Sequence, residues 1–125
     1  SDLRPIFCIG ENASDFDKGN TQQILKEQLK ALGDFKKHED IIIAYEPVWA
    51  IGTGKVASLD DIEKTCSFLK KELLDTYQFS SPVLYGGSVK AANAKEILSL
   101  QSVGGVLVGG ASLDPDEFWK ISTAV

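Results

Sequence analysis

Four short apolar runs, at residues 5–9, 41–45, 82–85 and 105–108, punctuate the chain. None alternates apolar with polar positions, so each reads as a strand covered on both faces, the signature of a parallel sheet. Between the runs the pattern shifts to a helical period. Over 21–35, Ile24, Leu25, Gln28, Leu29 and Leu32 recur at helical spacing, and Gly33 supplies a stop signal. Over 59–77 the stripe is Ile62, Cys66, Leu69, Leu73 and Tyr77, with Ser58 as N-cap and Asp61 three residues on, close to a capping box. Shorter helices are expected at about 91–100 and about 115–123, the last opening on Pro115, a residue suited to a first helical position. The order is β-α-β-α-β-α-β-α. Parallel strands joined through helices demand right-handed crossovers and a doubly covered or barrel-like sheet.

The chain has 125 residues, of which 43% are hydrophobic and 25% charged, and is expected to form a single domain over 1–125. Thirteen Lys and Arg against eighteen Asp and Glu leave a net charge of −5. That field disfavours nucleic acid or an anionic membrane as partner, yet leaves room for a small anion held by backbone N–H groups. Cys8 and Cys66 are distant in sequence and have no metal-ligand spacing, so free thiols in a reducing, cytoplasmic setting are expected. No run approaches the ~18 apolar residues of a membrane span, and the N-terminus has no signal-peptide core. Methionine is absent even at position 1, so the chain is expected to begin at a processed end or inside a longer gene product. Lys36-Lys37-His38-Glu39-Asp40 reads as a solvated loop. His38, the one histidine, precedes a strand, the end remote from function in such folds.

Ligands of α/β sheets bind at the carboxyl ends of the strands. Those ends carry Gly10-Glu11-Asn12, then Glu46 with the run to Lys55, then Gly86-Gly87-Ser88, then Gly109-Gly110-Ala111-Ser112. Glycines there allow positive φ and close backbone approach, and successive N–H groups near helix starts suit a phosphate dianion. One Gly-Gly pair alone is more often a tight turn; two, after the last two strands, match a phosphate cup. Glu46 ends an all-apolar strand and is followed at once by Pro47, which holds the departing chain extended. Half-desolvated beside Trp49 and Ile51, its carboxylate would serve as a base, although pairing with a lysine is an equally ordinary fate. The run from Val48 to Gly54 tips the balance, because exposed apolar side chains mixed with glycines suit a loop that closes over a ligand.

Ala44-Tyr45-Glu46-Pro47-Val48-Trp49-Ala50-Ile51-Gly52-Thr53-Gly54 resembles the signature of the triosephosphate isomerase family. Tyr85-Gly86-Gly87-Ser88, the run Leu107 to Leu113, and the run Pro5 to Glu11 resemble its later loops and its fifth strand. The resemblance runs from Leu3 to the C-terminus. It implies a (β/α)8 TIM barrel, with this chain supplying the last four βα units as a half-barrel. It also implies interconversion of dihydroxyacetone phosphate and glyceraldehyde 3-phosphate through an enediolate, without metal or organic cofactor. Glu46 would be the general base, and the N–H groups of Gly52, Ser88, Gly109 and Gly110 would hold the phosphate. Pro47, Val48 and Trp49, with Lys55, Val56 and Ala57, would be the hinges of a closing loop. Tyr85 would brace that loop near Ala57, and Glu11 would receive the Trp49 indole N–H.

The resemblance further implies that an electrophilic lysine and histidine, and a homodimer contact, belong to an N-terminal half outside this chain. The isolated chain is then expected to be almost inactive. An Arg–Asp pair usual in the family is replaced by Lys70 and Gly104. Two other readings stand beside this one. One is a non-catalytic half-barrel that binds phosphate or a partner chain. The other is a sugar-phosphate isomerase of amino-acid biosynthesis, against which the intact Glu46 and loop argue.

Overall fold

The computed structural model describes residues 2–34 and 40–125. His38 and most of its loop lie outside the described residues. Four parallel strands, β1 (Ile6–Ile9), β2 (Ile42–Tyr45), β3 (Val83–Tyr85) and β4 (Gly105–Val106), lie side by side in chain order. Their register sets Phe7 beside Ile43 and Val83, and Ile9 beside Tyr45, Tyr85 and Val106. These rows turn to one face, where helices bury them.

Five helices surround that face: α1 (Ala13–Asp17), α2 (Thr21–Leu29), α3 (Leu59–Tyr77), α4 (Ala91–Leu98) and α5 (Pro115–Ser122). The longest, α3, has the predicted limits because both ends are chemically marked. Ser58 Oγ accepts the Asp61 N–H at 3.1 Å, and Gln78 ends the helix in the left-handed region at φ 58°. Its Ile62, Cys66, Leu69 and Leu73 meet Leu25 and Leu29 of α2 and Ala94 and Ile97 of α4 in the core. Burial, and after it the charge of Glu63, push the Cys66 thiol up to about 12, so it behaves as an apolar side chain.

Several expectations need correction. The α-helix predicted over 21–35 ends at Leu29 and tightens into a 3-10 turn, Lys30–Asp34, so Gly33 sits inside the turn. Leu32 stays buried, and the stripe survives the change of helix type. The last predicted strand shortens to Gly105–Val106, although Leu107 N–H still bonds to Tyr85 O at 2.9 Å. Helix α4 stops two residues early and α5 one residue early. Short α1 was not foreseen; Asn12 caps it by accepting the Asp15 N–H at 2.8 Å.

The strands are also not covered on both faces. On the second face Cys8 pairs in register with Ala44, Leu84 and Gly105, and Ile6 with Ile42. Ile6 is 44% exposed, Cys8 is exposed, and Ile42 and Leu84 are half-buried. The strands carry the apolarity of a two-sided burial, but among the described residues only one covering layer is present.

Lys70 is exposed, and Gly104 packs so tightly that a Cβ there would stand 3.0 Å from Pro82 Cβ. A different tie joins α3 to the approach to β4. Glu63 accepts the Ser102 N–H at 3.0 Å and the Ser102 hydroxyl at 2.7 Å, and these bonds hold its carboxyl below the usual carboxylate range.

Candidate functional site

The carboxyl ends of the strands open on a cavity of about 750 Å³ whose lining includes Glu46, Gly52, Ser88, Gly109 and Gly110. Glu46 leaves β2 with its N–H bonded to Ile9 O at 2.7 Å and its side chain half-buried. Two glycines make room for it. A Cβ at Gly86 would lie 2.5 Å from Glu46 Cγ, and one at Gly10 would lie 1.6 Å from the Glu46 carbonyl oxygen. Gly10 is in turn gripped by Gln28 of α2, which accepts its N–H at 2.9 Å and donates to its carbonyl at 3.0 Å. The backbone under Glu46 is therefore fixed by neighbours rather than by left-handed torsions. Positive φ occurs instead at Gly52 (65°) and Gly54 (75°), inside the loop that follows. Burial and the charge of Glu46 both raise the Cys8 thiol, which sits on the open face of the sheet beneath the carboxylate.

After Pro47 the chain makes a 3-10 turn, Val48–Ala50, and crosses the site. Glu11 is 0% exposed; one of its oxygens accepts the Tyr45 hydroxyl at 2.8 Å and the Trp49 indole N–H at 3.1 Å. Burial and then the Glu11 charge drive the Tyr45 phenol far above its ordinary range, so it remains a donor. Trp49 also packs on Phe16 of α1 with ring centroids 4.4 Å apart. It does not line the cavity beside Glu46, as expected from sequence; Ile51 does. The Ser88 hydroxyl donates to Ala50 O at 2.7 Å, and Ala57 N–H donates to Tyr85 Oη at 3.4 Å. Val48, Ile51, Lys55 and Val56 are exposed, while Pro47 and Ala57 are buried. Of the predicted residues, five share the cavity, Glu11, Trp49, Tyr85 and Ala57 form the bonded frame that holds the crossing loop, and Pro47, Val48, Lys55 and Val56 lie along that loop outside both sets.

The far wall is built by the turn Gly110–Leu113, whose first N–H groups have no partner within their own turn. Side chains built at Gly109 or Gly110 would meet nothing within 4 Å, so that backbone forms an open cavity surface. Lys90, Asp114 and Glu117 add charge to the lining. Phe16 and Glu117 left no signal in the sequence, Gly10 and Gly86 were legible only as strand-end glycines, and Gln28 only as the one polar residue in a helical stripe. Among the described residues no three His, Cys, Asp or Glu side chains are grouped to hold a metal, and no helix is long and apolar enough to cross a membrane.

The family model described as "Triosephosphate isomerase" matches residues 1–125. The chain belongs to the triosephosphate isomerase family. Among curated relatives, the triosephosphate isomerase of Mesomycoplasma hyopneumoniae (strain 232) is 45% identical over 120 residues, covering 96% of this chain and 48% of the relative. That of Thermodesulfovibrio yellowstonii is 46% identical over 123 residues, covering 95% of this chain and 50% of the relative. The triosephosphate isomerase of Psychrobacter sp. (strain PRwf-1) is 43% identical over 132 residues, with 96% and 50% covered. The chain spans about half the length of the curated relatives it matches. Its four βα units are accordingly part of the (β/α)8 barrel of the triosephosphate isomerase family.

Proposed function

We propose that the protein containing this chain interconverts dihydroxyacetone phosphate and glyceraldehyde 3-phosphate, and that this chain supplies its base, its phosphate cup and its closing loop. One observation carries the reading: the Glu46 carboxylate and the backbone of Ser88, Gly109 and Gly110 border the same cavity. A triose phosphate anchored there by its dianion brings its carbonyl-flanking carbons toward Glu46. The carboxylate removes a proton from the hydroxyl-bearing carbon, the electrons move onto the carbonyl oxygen as an enediolate, the hydroxyl proton passes to that oxygen, and the carboxyl returns its proton to the former carbonyl carbon. Gly52, on the crossing loop, adds its N–H to the phosphate set when the loop lies over the cavity. The bonds from Trp49 to Glu11 and from Ala57 to Tyr85 hold it there, and a dry site suppresses loss of phosphate from the enediolate.

The other half of the barrel is the partner this reading requires, contributing the electrophilic lysine and histidine that the family resemblance implies. The open sheet face around Ile6 and Cys8, and the exposed Phe118 and Trp119 of α5, are apolar surfaces that such a half would cover. The completed barrel is expected to pair as a homodimer.

The test is Glu46→Asp in the complete protein, with interconversion followed in a coupled assay. Withdrawal of the carboxylate by about one methylene should lower kcat by about 10²-fold and move KM only a few-fold. Near-normal kcat would remove Glu46 from its role. A parent protein that binds phosphate without turnover would replace this reading with a non-catalytic half-barrel.

A further inference from the structure

The cavity has two walls that belong to different βα units. One is the loop 86–90 that leads into α4 and carries Ser88; the other is the turn Gly110–Leu113 that leads into α5. A phosphate held by both walls senses the gap between them. Each wall is stiff within itself. Asn93 of α4 donates to Ser88 O at 3.2 Å and accepts the Lys90 N–H at 2.8 Å. On the other side, Ser112 N–H and Oγ both donate to Gly109 O, at 2.9 and 2.6 Å. Asp114 caps α5 by accepting the N–H groups of Asp116 and Glu117 at 2.9 and 3.2 Å.

Glu117 joins the two. It stands in the first turn of α5, borders the cavity, and accepts the N–H of Ala91, the first residue of α4, at 2.7 Å. Because its own N–H is fixed by Asp114 and its carboxylate grips Ala91, displacement of α5 is passed to the Lys90–Asn93 turn and from there to Ser88. A charge-assisted bond of this length is among the stronger ones available to a partly exposed side chain. Strand β4, only two residues long, offers little competing restraint. We infer that Glu117 is a positioning residue for the phosphate cup, setting the separation between Ser88 and Gly109–Gly110 through its bond to Ala91. The inference rests on the proposal that this cavity holds the substrate phosphate.

The experiment compares E117A, E117Q and G110V in the complete protein, reading kcat, KM, the inhibition constant for inorganic phosphate, and the melting temperature. E117A should raise KM and the phosphate inhibition constant about tenfold, with a smaller loss in kcat. E117Q keeps an oxygen acceptor for the Ala91 N–H and should recover most of that affinity. If G110V weakens phosphate while E117A leaves it unchanged, the positioning role falls and the phosphate site stands. If G110V also leaves phosphate unchanged, the underlying site assignment falls. Should E117Q lose as much affinity as E117A at equal melting temperature, charge and not the bond to Ala91 is responsible, and the inference is overturned. Equal losses in KM and kcat that track a lowered melting temperature would reduce Glu117 to a purely structural tie, which also overturns it.

Discussion

Glu46 owes its place to residues that lack side chains. Gly86 lies across the strand interface, and its missing Cβ is the space through which the Glu46 side chain passes. Gly86→Ala should therefore push the carboxylate aside. The expected outcome is a kcat lower by about 10²-fold with KM changed far less, because the phosphate walls are untouched; steady-state kinetics on the complete protein check it. Equal loss in both constants would show that the loop, and not the carboxylate, had moved. Glu46 drew notice in the sequence as a charge ending an apolar strand, and the apolar, glycine-bearing run from Val48 to Gly54 after it marked it as a candidate. The reason for Gly86 was not legible there, since it depends on which strand lies alongside and in what register. The same holds for Gly10 under the Glu46 carbonyl and for Phe16 behind Trp49, contacts that no local spacing announces.

At the scale of elements, unbroken apolar runs located every strand, and a helical period of apolar positions located the helices over 21–35 and 59–77. Helix starts were marked by their own chemistry at Ser58 for α3 and at Pro115 for α5. Helix α1 buries no residue and so left no stripe. The pairing of α3 with the entry to β4 was invisible as well, because Glu63 and Ser102 are 39 residues apart. That tie has a pH signature. The folded-state pKa of Glu63 is lowered, first by the Ser102 hydroxyl and then by the Ser102 N–H. Its stabilisation is therefore fully present above the ordinary carboxylate value and is lost as pH falls through the lowered one. Glu63→Ala should cost about 1 kcal/mol at pH 7, the figure being kept small because the group is partly exposed to solvent. The gap between parent and variant melting temperatures should close below about pH 4. A gap that stays constant down to pH 3 would mean the carboxylate is not the source.

For the molecule as a whole, the sequence carried more than this chain uses. Strands apolar on both faces called for two covering layers, and the described residues supply one, leaving Ile6 and Cys8 open. Under the proposed function, the second face is the one that the rest of the barrel would cover. Ile6→Lys tests this without any need to isolate the segment. In the complete protein the substitution should cost roughly 3 kcal/mol, a fall of about 6–12 °C in melting temperature, because an ammonium would be carried into a dry interior. A change within about 1 °C would mean that the face stays wet in the finished molecule.

Sheet order has a consequence for how such a chain is made. Every strand lies against the one synthesised just before it, so each crossover can shut as soon as its second strand leaves the ribosome. No segment has to wait for a distant mate, and the entropy of ring closure is met in modest instalments along the way.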